Sequence, residues 1–190
     1  MRVFEYFIAY QARFADSLKS LVRYLLESGE EIITPSLENN LELMDVQDEA
    51  DFQMWLKRDT LTYKPIRARL SVPLTLELAR STVNAWIALS YKDLEWDQLQ
   101  TLVFLNGSIM ESPLSVLAQE PGERVRLLTP EEMRMLFRVD KLTKSTFEGF
   151  AARLSKLNDL IKERGEALGL PLYNEAGQPL EYFVFGNTYD

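Results

Sequence analysis

Asp45, Asp48, Glu49 and Asp51 fall within seven positions of the stretch LELMDVQDEADFQMWLKR, residues 41–58. On a helix Asp45, Asp48 and Glu49 are three and four residues apart and share a face, so two of them could chelate one hard cation such as Mg²⁺ or Mn²⁺ for phosphoryl transfer or hydrolysis. The order lacks the DxDxDG pattern and turn glycine of an EF-hand. Neither Lys57 nor Lys64 follows an acidic residue at the spacing of PD-(D/E)xK nucleases. The competing account is a solvated helix face, with Met44, Phe52 and Trp55 turned inward and Asp45, Glu49 and Asp51 outward, and it carries more weight than the metal site.

Two arginine pairs form the second group. Arg67 with Arg69, and Arg124 with Arg126, are each spaced by two in a segment that reads as a strand. Four guanidinium groups on one sheet face would suit phosphate, nucleic acid or an acidic protein surface. Outward-alternating charge is also the ordinary dress of a half-exposed strand. The segment ARSTVNAW has the composition of a helix-turn-helix recognition helix, but Pro73 and LTLEL leave no room for the helix that should precede it, so a packed core helix is expected. No GxxxxGK[ST] or GxGxxG phosphate loop occurs.

The chain holds no histidine and no cysteine. That excludes Ser-His-Asp and Cys-His catalysis, HExxH and thiolate zinc sites, and disulfides, leaving carboxylates, Lys, Arg, Tyr, Ser and Thr for any chemistry. No cofactor is implied.

Charge is unevenly spread. The net charge is -8, yet residues 24–56 hold nine carboxylates and no lysine or arginine, so the remainder sums to about +1. Residues 57–80 then set Lys57, Arg58, Lys64, Arg67, Arg69 and Arg80 against Asp59 and Glu77. Overall acidity disfavours duplex DNA. A local acidic segment beside a basic one fits docking to a basic surface, of a protein partner or of a neighbouring copy, through Asp45, Asp48, Glu49, Asp51, Arg67 and Arg69.

The elements that must position these groups follow from periodicity. At 190 residues, 46% of them hydrophobic, one core is expected, with residues 170–190 as a docked hairpin or arm. Phe4, Phe7, Ile8, Phe14, Leu18, Leu21, Val22 and Leu25 are spaced by three and four, which predicts one long helix from Val3 to Leu26 capped by Gly29; a strand over VFEYFIAY is the alternative. EEIITP reads as a short strand, the acidic stretch from Leu41 as a helix, PIRARLSVP as a half-buried strand, and LTLELARSTVNAWIALSYKDL as a helix with Leu76, Ala79, Val83, Trp86 and Ile87 inward. Ser90 or Asp93 can cap a following helix through LEWDQLQTLVFL. ERVRLL reads as a strand, and Thr129-Pro130-Glu131-Glu132 is a capping box. A second box, Ser145 to Glu148, opens a helix whose stripe of Phe147, Phe150, Leu154, Leu157, Ile161 and Leu168 runs to Gly165 or Gly169. LPLYNEAGQPLEYFVFG is a hairpin signal. The terminal aromatics, Phe4, Tyr6, Phe7, Tyr10 and Phe14 with Tyr182, Phe183, Phe185 and Tyr189, pack together in the core or form a subunit interface.

The expected fold is α+β: a helix-rich domain with a small mixed or antiparallel sheet and a C-terminal β-hairpin. No window is long and apolar enough for a membrane helix, and Glu5 and Arg13 interrupt the start where a signal peptide is apolar, so a cytoplasmic protein without membrane contact is expected. The expected function is non-enzymatic: a protein-interaction or assembly component, or an acidic inhibitor. A metal-dependent phosphoryl-transfer enzyme or hydrolase through Asp45, Asp48 and Glu49, and a phosphate or nucleic-acid binder through Arg67, Arg69, Arg124 and Arg126, are the alternatives.

Overall fold

A computed structural model describes residues 2–31, 45–58, 72–87, 91–105, 112–119, 125–150 and 152–188. Five strands form one mixed sheet: β1 (Val3–Ala9), β2 (Val125–Leu127), β3 (Leu142–Thr143), β4 (Ala167–Tyr173) and β5 (Pro179–Asn187). The spatial order is β1-β5-β4-β2, with β3 also beside β4. β1 runs antiparallel to β5 and β5 antiparallel to β4, whereas β2 and β3 are parallel to β4. The α+β expectation, with a mixed sheet and a C-terminal hairpin, holds.

The hairpin supplies the two inner strands. Its turn is closed by Asn174 and Gln178, whose backbones pair at 2.9 Å while the Asn174 side-chain oxygen accepts from the Gln178 N–H, also at 2.9 Å. Tyr182 and Val184 face one cluster of buried residues, Phe183 and Phe185 the other. Helices cover both faces of β5, which is why LEYFVFG reads as a nearly continuous apolar run.

Residues 3–9 are a strand, not the first turns of a helix. The burial of Phe4 and Ile8 between exposed neighbours follows the two-residue period of a strand, and every residue of β1 has a partner on β5, from Val3 opposite Asn187 to Ala9 opposite Glu181. The three-and-four spacing of Phe4, Phe7 and Ile8 is coincidental; Phe7 lies on the face opposite its neighbours, against Phe147 and Phe183 at centroid distances of 6.4 and 4.9 Å. The helix begins later, as α1 (Phe14–Ser28), and ends at Gly29 with φ 75°, the left-handed C-cap the sequence predicts. Ser17 Oγ fixes the strand-to-helix corner by donating to the Ala9 carbonyl at 2.9 Å and accepting from the Gln11 N–H at 3.0 Å.

Five of the remaining helices are α2 (Glu49–Arg58), α3 (Leu76–Ile87), α4 (Trp96–Leu105), α5 (Leu114–Leu117) and α6 (Pro130–Phe137). α1, α4 and α5 close the Tyr182 face of the sheet. α2 and α3 enclose a cluster of their own, Val46, Phe52, Trp55, Leu56, Leu74, Leu76, Ala79 and Val83. Among the described residues no helix is long and apolar enough to cross a membrane.

Two helix starts differ from expectation. Asp93 falls in a 3-10 turn, Tyr91–Asp93, and α4 begins at Trp96, with Gln98 Oε1 reaching back to the Glu95 N–H at 2.9 Å. After β3, Thr143 rather than Ser145 is the N-cap, its hydroxyl accepting from the Thr146 N–H at 3.2 Å. The long helix expected beyond it is two short ones, α7 (Lys144–Gly149) and α8 (Arg153–Asn158), separated by Phe150 in an extended conformation. Arg153 stabilises the break by donating to the carbonyls of Glu148 and Phe150 at 2.9 and 3.4 Å. Leu168, assigned to that stripe, is instead in β4. The capping box at α6 is present in full, with Thr129 and Glu132 bonded reciprocally. The EEIITP strand beyond Glu31 and the PIRARLS segment before Val72 lie outside the described residues.

Candidate functional site

The acidic segment folds so that each carboxylate has a separate environment. Val46, Phe52, Trp55 and Leu56 point into the α2–α3 cluster, with Phe52 stacked on Trp55 at 5.7 Å. This leaves the polar positions of 45–51 outward. The helix starts at Glu49, so Asp45 and Asp48 precede it and do not share a helical face with Glu49. Asp48 is the cap of α2: its Oδ1 accepts from the Asp51 N–H at 3.0 Å, and its carbonyl from the Phe52 N–H at 3.0 Å.

Glu49 caps a different helix. Its Oε2 accepts from the Leu76 N–H at the start of α3 at 2.8 Å, while Oε1 accepts from Gln53 Nε2 at 2.7 Å. Gln53 Nε2 in turn donates to the Leu74 carbonyl at 3.2 Å. The positive ends of α2 and α3 are thereby both held by carboxylates. Arg80, on α3, donates to the Val46 carbonyl. The negative and positive segments of the sequence therefore meet within one molecule, through a backbone oxygen. Asp45 is exposed and Asp51 half-buried. Among the described residues no three acidic side chains converge on a point where one ion could sit.

The arginine pairs fare differently. Arg126 lies on β2, but its guanidinium forms a fork with Glu132, both nitrogens at 2.8 Å from a carboxylate oxygen. This pairing holds the Glu132 carboxyl below the ordinary value and raises that of Arg126. Glu132 also accepts from the Thr129 N–H at 2.8 Å, so the arginine is locked to the cap of α6 and does not project freely. Arg124, Arg67 and Arg69 lie outside the described residues.

One buried carboxylate escapes sequence reasoning. Glu31, one of the nine carboxylates of residues 24–56, is only 8% exposed; it pairs with Arg2 at 3.0 Å and accepts from Ser112 Oγ at 2.8 Å. It ties the end of α1 to the residue before β1 and to Ser112, two residues before α5. Burial, and then the nearby Glu31 charge, raise the pKa of Tyr6. Tyr6 also lines a cleft of about 270 Å³ between β1 and α1, with Phe7, Ile8, Leu21, Ser20 and Tyr24 among its walls. Nothing local in GEE marks Glu31 as buried, since both of its partners are distant in sequence.

Aromatic residues of the two ends pack against one another, with Phe4, Phe14, Tyr182, Phe183 and Phe185 buried and Phe7 and Tyr10 at the surface. Tyr10 stacks on Tyr182 at 5.1 Å, Phe14 lies 5.0 Å from the same ring, and Phe147 lies 4.6 Å from Phe183. Tyr182 is 4% exposed, and its burial, together with Tyr10 beside it, pushes its pKa up to about 12. Tyr189 lies outside the described residues.

No family model, curated protein or solved structure matches the chain.

Proposed function

We propose that the chain is a non-enzymatic interaction or assembly protein whose acidic ridge, residues 45–51, docks on a basic surface of a partner or of a neighbouring copy. The observation that carries this reading is the capping geometry. Asp48 and Glu49 bind the amides of Asp51 and Leu76, at 3.0 and 2.8 Å, instead of converging on a common ligand. Caps hold the backbone of the ridge rigid, so the exposed Asp45 and the half-buried Asp51 are presented with little conformational freedom left to lose on binding. Rigid presentation of exposed charge suits electrostatic recognition, which speeds association and screens out partners of the wrong sign.

Such contacts weaken as salt rises. Between copies they are head-to-tail, joining the ridge of one molecule to the basic segment 57–80 of the next, and build rings or filaments. Light scattering at low ionic strength is expected to show assemblies larger than a dimer, which disperse at about 0.5 M salt, where the Debye length has fallen well below 10 Å. The double variant Asp45→Lys with Asp51→Lys, which leaves both caps in place, should abolish them at any salt. An unchanged mass across salt and variants overturns this mode of assembly.

A further inference from the structure

Among the described residues β1 is an edge strand: β5 is its partner on one side, and no strand lies on the other. The Tyr10 N–H donates to Leu180 at 3.2 Å and the Thr188 N–H to Arg2 at 2.9 Å, so the even-numbered residues of this register turn their backbone groups towards β5. Val3, Glu5, Phe7 and Ala9 therefore turn their N–H and C=O groups outward. The usual protections of such an edge are missing: VFEYFIA contains no proline and no lysine, its pairing with β5 has no bulge, and Glu5 is its one charge. Val3 and Phe7 are 49% and 42% exposed.

We propose that this edge is a self-recognition surface: two copies pair their β1 strands antiparallel about a two-fold axis at Tyr6, joining two sheets into one. Outward-facing groups must meet outward-facing groups, which restricts the register to steps of two. One of these registers pairs all seven residues of the strand, setting Val3 opposite the partner's Ala9, Glu5 opposite the partner's Phe7, Phe4 opposite the partner's Ile8, and Tyr6 opposite its own copy. Sliding one step towards the start would place Glu5 against Glu5, like charges directly across a pair.

Charge favours the full register. Lys144 Nζ sits 4.2 Å from the centre of the Phe7 ring and pairs with Glu181 of its own molecule at 3.0 Å. Glu5 of the second copy, opposite Phe7 and on the same face, arrives beside that cation. On the other face the partner's Phe4, Tyr6 and Ile8 extend the wall of the apolar cleft between β1 and α1. This surface is separate from the acidic ridge on α2, and backbone pairing with aromatic contact is far less sensitive to salt than charge docking.

The test is mass and cross-linking of the full chain. Sedimentation should find a dimer, twice 22.0 kDa, at about 0.5 M salt, where charge-driven assembly is dispersed. Glu5→Lys places a second cation beside the partner's Lys144 at both symmetric positions and should weaken the dimer roughly tenfold. Because the chain has no cysteine, Tyr6→Cys introduces a unique thiol. Cα atoms across a non-hydrogen-bonded pair are roughly 4.5 Å apart, within disulfide range, so this variant should cross-link rapidly on mild oxidation. Met135→Cys, on α6 and 64% exposed, is the control. A monomer at high protein concentration overturns the proposal, as does a dimer unaffected by Glu5→Lys, or a Tyr6→Cys that cross-links no faster than the control while retaining its circular dichroism. If low-salt assemblies disperse to dimers, both interfaces exist; if they disperse to monomers, the ridge alone assembles the chain.

Discussion

Asp48 and Glu49 are neighbours in sequence yet hold the starts of two different helices. Replacing Asp48 by Ala should cost about 1 kcal/mol of unfolding free energy, within the usual 0.5–2 kcal/mol for a cap, and Glu49→Ala a similar amount through α3. Urea denaturation measures both. Carboxylates gathered to hold a cation repel one another when it is absent, so their removal in metal-free buffer would raise stability; a fall identifies caps. A second expectation concerns acid. Arg126 lowers the Glu132 pKa below the ordinary 4.5, so the ionised form is favoured in the folded chain. That stabilisation is fully present above 4.5 and drains away as the pH falls through and below it. The stability gap between wild type and Glu132→Gln should therefore be widest near neutrality and narrow progressively as the pH falls below 4.5, as read by denaturation across a pH series. At this scale the sequence was legible where the bond is local: Thr129 with Glu132, and Gly29 after α1. Glu49 to Leu76, separated by 27 positions, and Glu31 to Ser112, by 81, left no local trace. Thr143 took the cap from Ser145 because both hydroxyls fit a helix start, and β3 fixes which comes first.

At the scale of elements, close approach decides how α1 and β1 seat on the sheet. A methyl group at Gly186 in β5 would meet the Glu166 carbonyl at 2.7 Å and Ala167 Cβ at 2.9 Å, besides the Phe4 ring. At Gly169 in β4 it would meet the Phe14 ring and Leu127 Cδ2, which are side chains that can turn aside. Gly186→Ala should accordingly destabilise by about 2–3 kcal/mol and Gly169→Ala by about 1 kcal/mol, an ordering that thermal or urea unfolding can check. The same scale explains what patterning conveyed. The β4–β5 hairpin was legible because turn residues and apolar runs lie side by side. β1 reads as helix because Phe4, Phe7 and Ile8 happen to be spaced by three and four although Phe7 belongs to the opposite face of a strand, and what selects strand is β5, remote in sequence. α7 and α8 were merged because apolar spacing continues through a break made by Phe150 and secured by Arg153.

For the molecule as a whole, the described part of the charge split places Asp45, Asp48, Glu49 and Asp51 at and before the start of α2 and ties Arg80 to the Val46 carbonyl. Mass as a function of salt reports on that ridge, and mass at high salt on the β1 edge, so one series of light-scattering runs separates the two modes of association. Which surfaces matter could not be read from composition, since both depend on what the fold leaves uncovered. The position of β5 has a further consequence, in the order of synthesis. Arg2 and Thr188 are bonded to one another although 186 positions separate them. β1 is synthesised long before β5, which must emerge before the two can pair, whereas β4 precedes β5 by only the hairpin turn. Until then β1 has no strand beside it among the described residues, and an aromatic strand with two open edges is exposed to whatever else is nascent nearby. Loop closure of this length slows folding, so this chain completes its sheet after translation of β5, and the interval is the period in which holdase chaperones have most to protect.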